Sequence, residues 1–239
     1  MTSPPRRLTD ATAEASDRIG GQVREAIEEV KPKLRGWLHA ATAPLALVAG
    51  IVLIALSPTP TTRLGSAIFA ACALALFTAS ATMHRGHWSP RAGLWLRRLD
   101  HSSIFLLIAG SYTPFTLLLL EGRNRTTLLI IAWGGAALGI LFRMFWVSAP
   151  RWLYTLIYLA LGWAAVFYFP AFFRNASVAV LVMMIVGGAL YTVGGLVYGL
   201  RRPDPSPRWF GFHEVFHTLT ILAFTTHYVG VSIATYSLR

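Results

Sequence analysis

The sequence predicts an all-α, polytopic membrane protein built as a seven-transmembrane-helix bundle, and three observations carry that prediction. The 239 residues are 55% hydrophobic and only 13% charged, with a mean hydropathy of +0.55. Charge-free runs of about 20 residues recur, each long enough to cross a hydrocarbon core of about 30 Å. A soluble helical core would instead show polar faces at helical spacing, and the stretches Ala41 to Ser57 and Ser177 to Leu200 show none. The single cysteine, Cys72, lies in an apolar run, so neither an intramolecular disulfide nor a cysteine metal site is expected.

Residues 1–36 read as a polar cytoplasmic tail without the apolar h-region of a cleaved signal. It opens with Ser3-Pro4-Pro5-Arg6-Arg7, a composition of disordered segments. Within it Ile19, Val23, Ile27 and Val30 form a narrow stripe that fits either a surface-lying amphipathic helix or a solvated one. Residues 37–239 hold the membrane domain, with spans expected at about 38–56, 64–84, 99–120, 127–146, 151–170, 177–199 and 211–236. Breakers separate them, among them Ser57-Pro58-Thr59-Pro60 and Pro203-Asp204-Pro205. Gly135-x-x-x-Gly139 and Gly195-x-x-x-Gly199 are spacings that let membrane helices approach closely.

Charge sets the expected orientation. With the N-terminus in the cytoplasm, sixteen of the 21 Lys and Arg fall on that side, leaving Arg63, Arg123, Arg125, Arg174 and Arg239 outside with the C-terminus. The net charge of +11 then reads as topology and as contact with anionic lipid headgroups at the cytoplasmic face. Membrane lipids are the expected partners and nucleic acid is not, since the charge is spread over several connectors; oligomeric state is left open.

On this topology the ionisable residues gather at one side. Ser80 and His84 close the second span, Asp100 and His101 open the third, and His213 and His217 lie in the first turns of the seventh. Residues four apart share a helix face, so His213 and His217 can present two imidazoles to one ion. Intramembrane polar groups are costly and usually face the bundle interior with a partner. Three neutral imidazoles with one open position make a catalytic zinc site. Asp100 can then be a fourth ligand, a base for a coordinated water, or simply the N-cap of the third span. Ser80, four residues before His84, is placed to support the site by hydrogen bonding. Phe212-His213-Glu214-Val215-Phe216-His217 also contains the His-Glu-x-x-His pattern of metalloproteases, but Glu214 points about 100° away from His213, towards a neighbouring helix or the headgroups. His87 is a fallback ligand if the second span runs on. His227 stands about 15 Å beyond His217, too far to share an ion, and is expected to bond within the bundle. His39 and His101 sit near the interface, where a polar residue needs no special reason. The only lysines, Lys31 and Lys33, precede the first span, which excludes a retinal-type Schiff base inside the bundle.

Four ordered motifs add a resemblance that covers about residue 33 to the C-terminus. Lys33-Leu34-Arg35-Gly36-Trp37-Leu38-His39, Ser80-x-x-x-His84, Leu99-Asp100-His101-Ser102-Ser103 running into Ser111-Tyr112-Thr113-Pro114, and Phe212-His213-Glu214-x-Phe216-His217 resemble the haemolysin III family. That family is related to the progestin and adipoQ receptors, which include the adiponectin receptors. The resemblance implies a cytoplasmic N-terminus and a zinc ion held by His84, His213 and His217, with Asp100 beside the bound water and Ser80 supporting it. The wider superfamily, which takes in alkaline ceramidases, implies zinc-dependent hydrolysis of lipid amides. Glu214 departs from the Gln of the adiponectin receptors, so the implied chemistry has no need of it as a base. The expected location is a bacterial inner (plasma) membrane. The family takes its name from a cytolytic activity, which makes a lipid sensor or a cytolysin with structural zinc the alternative to a hydrolase.

Overall fold

The computed structural model describes residues 32–238; the predicted stripe from Ile19 to Val30 lies outside them. Among the described residues, seven helices are long and apolar enough to span a membrane: Trp37–Ala55, Pro60–Arg85, Pro90–Leu119, Gly122–Phe145, Arg151–Asn175, Val178–Leu200 and Phe212–Tyr236. The chain is an all-α integral membrane protein, as its hydropathy predicts.

Local chemistry explains where these helices begin. Thr59 caps the second helix, its hydroxyl accepting from Thr62 N–H at 3.2 Å while Pro60 occupies the first turn. Ser177 does the same for the sixth. The third helix starts at Pro90, about two and a half turns before the predicted boundary near 99, because Ser89 caps it through Ala92 N–H at 3.3 Å. Its 30 residues extend about 45 Å, more than a bilayer core is thick, so the turns carrying Arg91, Arg97 and Arg98 project to the headgroup level.

Consecutive helices pack side by side, the first reaches the seventh to close a ring, and the third runs through the middle against the second, fourth, fifth and seventh. Of the third helix's apolar window 72% is buried, against 22–44% for the other six. Asp100 and His101 lie just before this most buried stretch and are themselves partly buried.

The fifth span is not one continuous α-helix. It is α-helical from Arg151 to Gly162, tightens to a 3₁₀ segment over Trp163–Tyr168, and resumes as Phe169–Asn175. Pro170 has no N–H for the Val166 carbonyl, which Phe169 N–H takes instead. Tyr112 of the third helix holds the break together: its hydroxyl lies 2.7 Å from Gly162 O and 3.1 Å from Leu161 O, and it accepts from Ala165 N–H at 2.8 Å.

Because lipid tails are as apolar as leucine, close packing rather than burial from water holds such helices together. A β-carbon on Gly139 would fall 2.3 Å from the Phe105 ring, and one on Gly135 2.6 Å from Leu161. A β-carbon on Gly195 would be tight against Leu159 of the fifth helix, at 3.1 Å, whereas one on Gly199 would meet Thr155 at an ordinary 3.4 Å. Gly139→Val is therefore expected to destabilise the bundle by about 1–3 kcal/mol through overpacking, read as a lowered melting temperature of the detergent-purified protein. An unchanged melting temperature would refute the close packing of the third and fourth helices.

Candidate metal centre

Two helix ends and the middle helix build the site. The second helix carries His84 in its last turn and stops when Gly86 turns extended. His87 therefore lies in the connector, exposed, and is no ligand. The seventh helix begins at Phe212, and carboxylates engage its free N–H groups: Glu214 Oε2 accepts from Gly211 at 2.8 Å and Asp204 Oδ1 from Phe212 at 2.8 Å. The other Glu214 oxygen binds Arg35 Nε. Glu214 is completely buried, with both oxygens engaged away from the histidines. The metalloprotease role of this residue type is thus excluded, and Glu214 takes neither of the two directions its sequence position left open: it meets Arg35, from the segment before the first helix, and its own helix's N-cap.

Arg35 belongs to a short segment that ties the first helix to this corner. Lys33 and Leu34 N–H groups donate to the carbonyls of Arg208 and Trp209 at 3.0 and 3.2 Å, and the Lys33 ammonium sits 4.3 Å from the centre of the Trp209 ring. The chain then turns at Gly36 with φ of 80°, a left-handed conformation that glycine adopts without cost. A β-carbon there would lie 2.7 Å from that of His84, so the turn is seated directly on the site.

His84, His213 and His217 converge: one donor atom from each lies within 4.8 Å of the others. His84 Nε2 and His213 Nε2 are 3.2 Å apart, close to the ~3.3 Å that separates two nitrogens bound at ~2.05 Å to one tetrahedral ion. His217 is 3% exposed and its Nδ1 is buried without a hydrogen-bond partner. A buried imidazole nitrogen with no partner is costly unless something coordinates it. The donor set and its spacing therefore fit a metal ion.

Asp100 stands beside this group, its Oδ2 3.9 Å from His84 Nε2 and 3.6 Å from His101 Nδ1. It lies in the third turn of its helix, whose cap is Ser89, so the capping reading falls. Ser80 Oγ is buried and faces Asp100 without completing a hydrogen bond. His101 is better placed than its interfacial sequence position implied. Its Nδ1 lies 2.8 Å from Arg97 O, which fixes Nδ1 as the protonated nitrogen, and Nε2 lies 3.3 Å from the Tyr198 hydroxyl.

Sequence reasoning passed over His39 as an interfacial polar residue. It is 2% exposed, stacks on His217 with ring centres 3.8 Å apart and planes at 15°, and has neither ring nitrogen hydrogen-bonded. The signal available was its place in the Lys33 to His39 motif. His227 behaves as expected, bonding inside the bundle through Nε2 to Met184 O at 3.4 Å.

From this corner a cavity of about 400 Å³ runs between the third, fifth, sixth and seventh helices. His39, Ser80, Asp100, His101, His213 and His217 line one end, and the walls beyond are apolar. Its lining includes Trp163, Val166 and Ile185, which are half-exposed on the outer faces of the fifth and sixth helices. The cavity thus opens sideways, towards lipid.

Comparison with known proteins agrees with this architecture. A family model described as haemolysin-III related matches residues 27–228. The chain is 35% identical over 146 residues to a hemolysin-3 homolog of Bacillus subtilis (strain 168), covering 61% of this chain and 68% of that one. It is 32% identical over 171 residues to hemolysin-3 of Bacillus cereus, covering 72% and 78%. Over 166 residues it is 30% identical to the adiponectin receptor protein of Drosophila melanogaster, covering 60% of this chain and 36% of the receptor.

Proposed function

Since the chain belongs to the haemolysin-III-related family of membrane proteins, we propose that it is a zinc-dependent hydrolase that cleaves a lipid acyl bond, most simply an amide, inside the bilayer. The observation that supports this best is the junction of two environments: three histidines and a carboxylate at the end of an apolar cavity that opens between helices. A purely structural ion would need neither the cavity nor a carboxylate left outside the ligand set.

His84, His213 and His217 would hold the ion as neutral imidazoles, and the stack of His39 on His217 fixes the plane of that ring. Zinc, when bound, supplies Lewis acidity that polarises a carbonyl oxygen and brings the pKa of water towards about 7. Asp100 Oδ2 takes the proton from the attacking water and returns it to the leaving amine nitrogen. Ser80 Oγ, buried beside that carboxyl, supports it as it changes protonation state. The apolar walls hold the acyl chain and keep bulk water from the site. The direct test is incubation of reconstituted protein with ceramides and phospholipids, with released fatty acid measured by mass spectrometry. No release above a zinc-stripped control across that panel would overturn the reading.

The same proposal places the metal corner at the cytoplasmic face, on the strength of the sixteen-to-five distribution of Lys and Arg. A C-terminal alkaline phosphatase fusion is then expected to be active and a C-terminal green fluorescent protein fusion dark. The reverse pattern would invert the bundle and put the site in the outer leaflet.

A further inference from the structure

The cavity has a second polar end. Among its lining residues, the hydroxyls of Ser111 and Thr220 are engaged by their own helices, through Ile108 O and Phe216 O at 2.9 Å each. Tyr112 is engaged by the break in the fifth span. Apart from Thr155 Oγ1 on the fifth helix, the buried polar atoms of the lining without partners fall into two groups. One surrounds the metal corner. The other is His227 Nδ1 together with the Tyr191 hydroxyl, on rings whose centres are 5.5 Å apart.

This second pair occupies a built seat. The His227 ring is 9% exposed and packs edge-on to Phe115, at 5.7 Å. It also lies over Gly187, where any β-carbon would fall 2.2 Å from Cδ2. Its Nε2 faces the Met184 carbonyl at 3.4 Å, which makes Nε2 the N–H and leaves Nδ1 an acceptor. Tyr191 adds an O–H donor with nothing to donate to. An acceptor and a donor side by side match a hydroxyl group, which donates one hydrogen bond and accepts another. A carboxylate offers no proton to Nδ1, and a methylene offers nothing to either atom.

We propose that His227 and Tyr191 form a subsite for a hydroxyl borne along the hydrocarbon chain of the lipid, about 15 Å from the metal corner by the ten-residue rise from His217 to His227. This rests on the proposed lipid-binding role of the cavity and deepens it. The favoured ligands are hydroxylated acyl chains whose hydroxyl reaches the second polar end when the head is at the first.

The test is competition against radiolabelled stearic acid on the purified, metal-loaded protein, using plain stearic acid and a series of hydroxystearic acids with the hydroxyl moved along the chain. One position in the series is expected to bind about three- to tenfold tighter than plain stearic acid, the range of one well-formed hydrogen bond or two weak ones. Tyr191→Phe removes a single atom that has no partner in the fold, so the variant should remain folded. It is expected to abolish the preference while plain stearic acid binds as before. Equal binding of the whole series, or an undiminished preference in Tyr191→Phe, overturns the subsite and leaves the lipid cavity standing. Failure of every acid to compete, with no specific stearate binding, overturns both. His227→Gln, which keeps a polar side chain, is expected to shrink the same preference without moving stearate affinity, and an unchanged preference there also counts against the pair.

Discussion

Replacing both His213 and His217 by Ala is expected to empty the protein of metal. The purified wild-type chain should carry about one zinc ion, as a site of three imidazoles predicts; the double variant should carry none above background in plasma emission analysis. The effect is large because the two residues supply two of the three donors that meet within 4.8 Å, and His84 alone offers one. Stability should follow occupancy. With free zinc at a thousand times Kd, a ligand that binds only the folded state contributes about 4 kcal/mol, so chelation should lower the melting temperature of the wild type and leave that of the variant unmoved. Full zinc retention by the variant would remove the metal centre from these helices.

Asp100→Asn separates catalysis from architecture. Asparagine keeps the shape of the side chain and removes its basicity, and Asp100 stands outside the three-histidine group, 3.9 Å from His84 Nε2. The variant should therefore keep its zinc and its melting temperature while turnover falls by about 10²–10⁴-fold, the usual contribution of a general base. The rival reading is a sensor or cytolysin with structural zinc. It predicts the opposite: no lipid hydrolysis in the wild type, and a membrane permeability or lipid response that survives Asp100→Asn. Hydrolysis unchanged in the variant would remove Asp100 as the base.

The parts of this site that were legible in the sequence are those set by helical periodicity and by the bilayer. His213 and His217 share a face because they are four apart, and the alternation of spans puts His84 and Asp100 at the same end of the bundle as the histidine pair. Contacts between distant segments were not legible. Glu214 could be assigned only once Arg35, from before the first helix, was seen against it. His39 looked like an ordinary interfacial histidine until the closure of the ring laid it on His217. The start of the third helix is a different kind of miss. Ser89-Pro90 is a sound N-terminal signature, but hydropathy discounts the charged turns carrying Arg91, Arg97 and Arg98, although helices begin well outside the hydrocarbon when a cap is available there. The break in the fifth span needed both Pro170, which was visible, and the reach of Tyr112 from another helix, which was not.

The distance along the chain between the two ends of the site sets a timetable for biogenesis. His84 and His213 are 129 residues apart, so at a synthesis rate of ~5–20 residues per second roughly 6–26 s separate their emergence from the ribosome. Throughout that interval the second and third helices sit in the bilayer with His84 and Asp100 facing a gap where the seventh helix will dock. Polar groups so placed are tolerated only while water or another protein attends them. Insertion of the last span thus ends the waiting period and brings the three histidines together in one step. A chain truncated before Phe212 should be cleared by quality-control proteolysis far faster than one truncated after Tyr236, and zinc supplied during translation should protect only the latter.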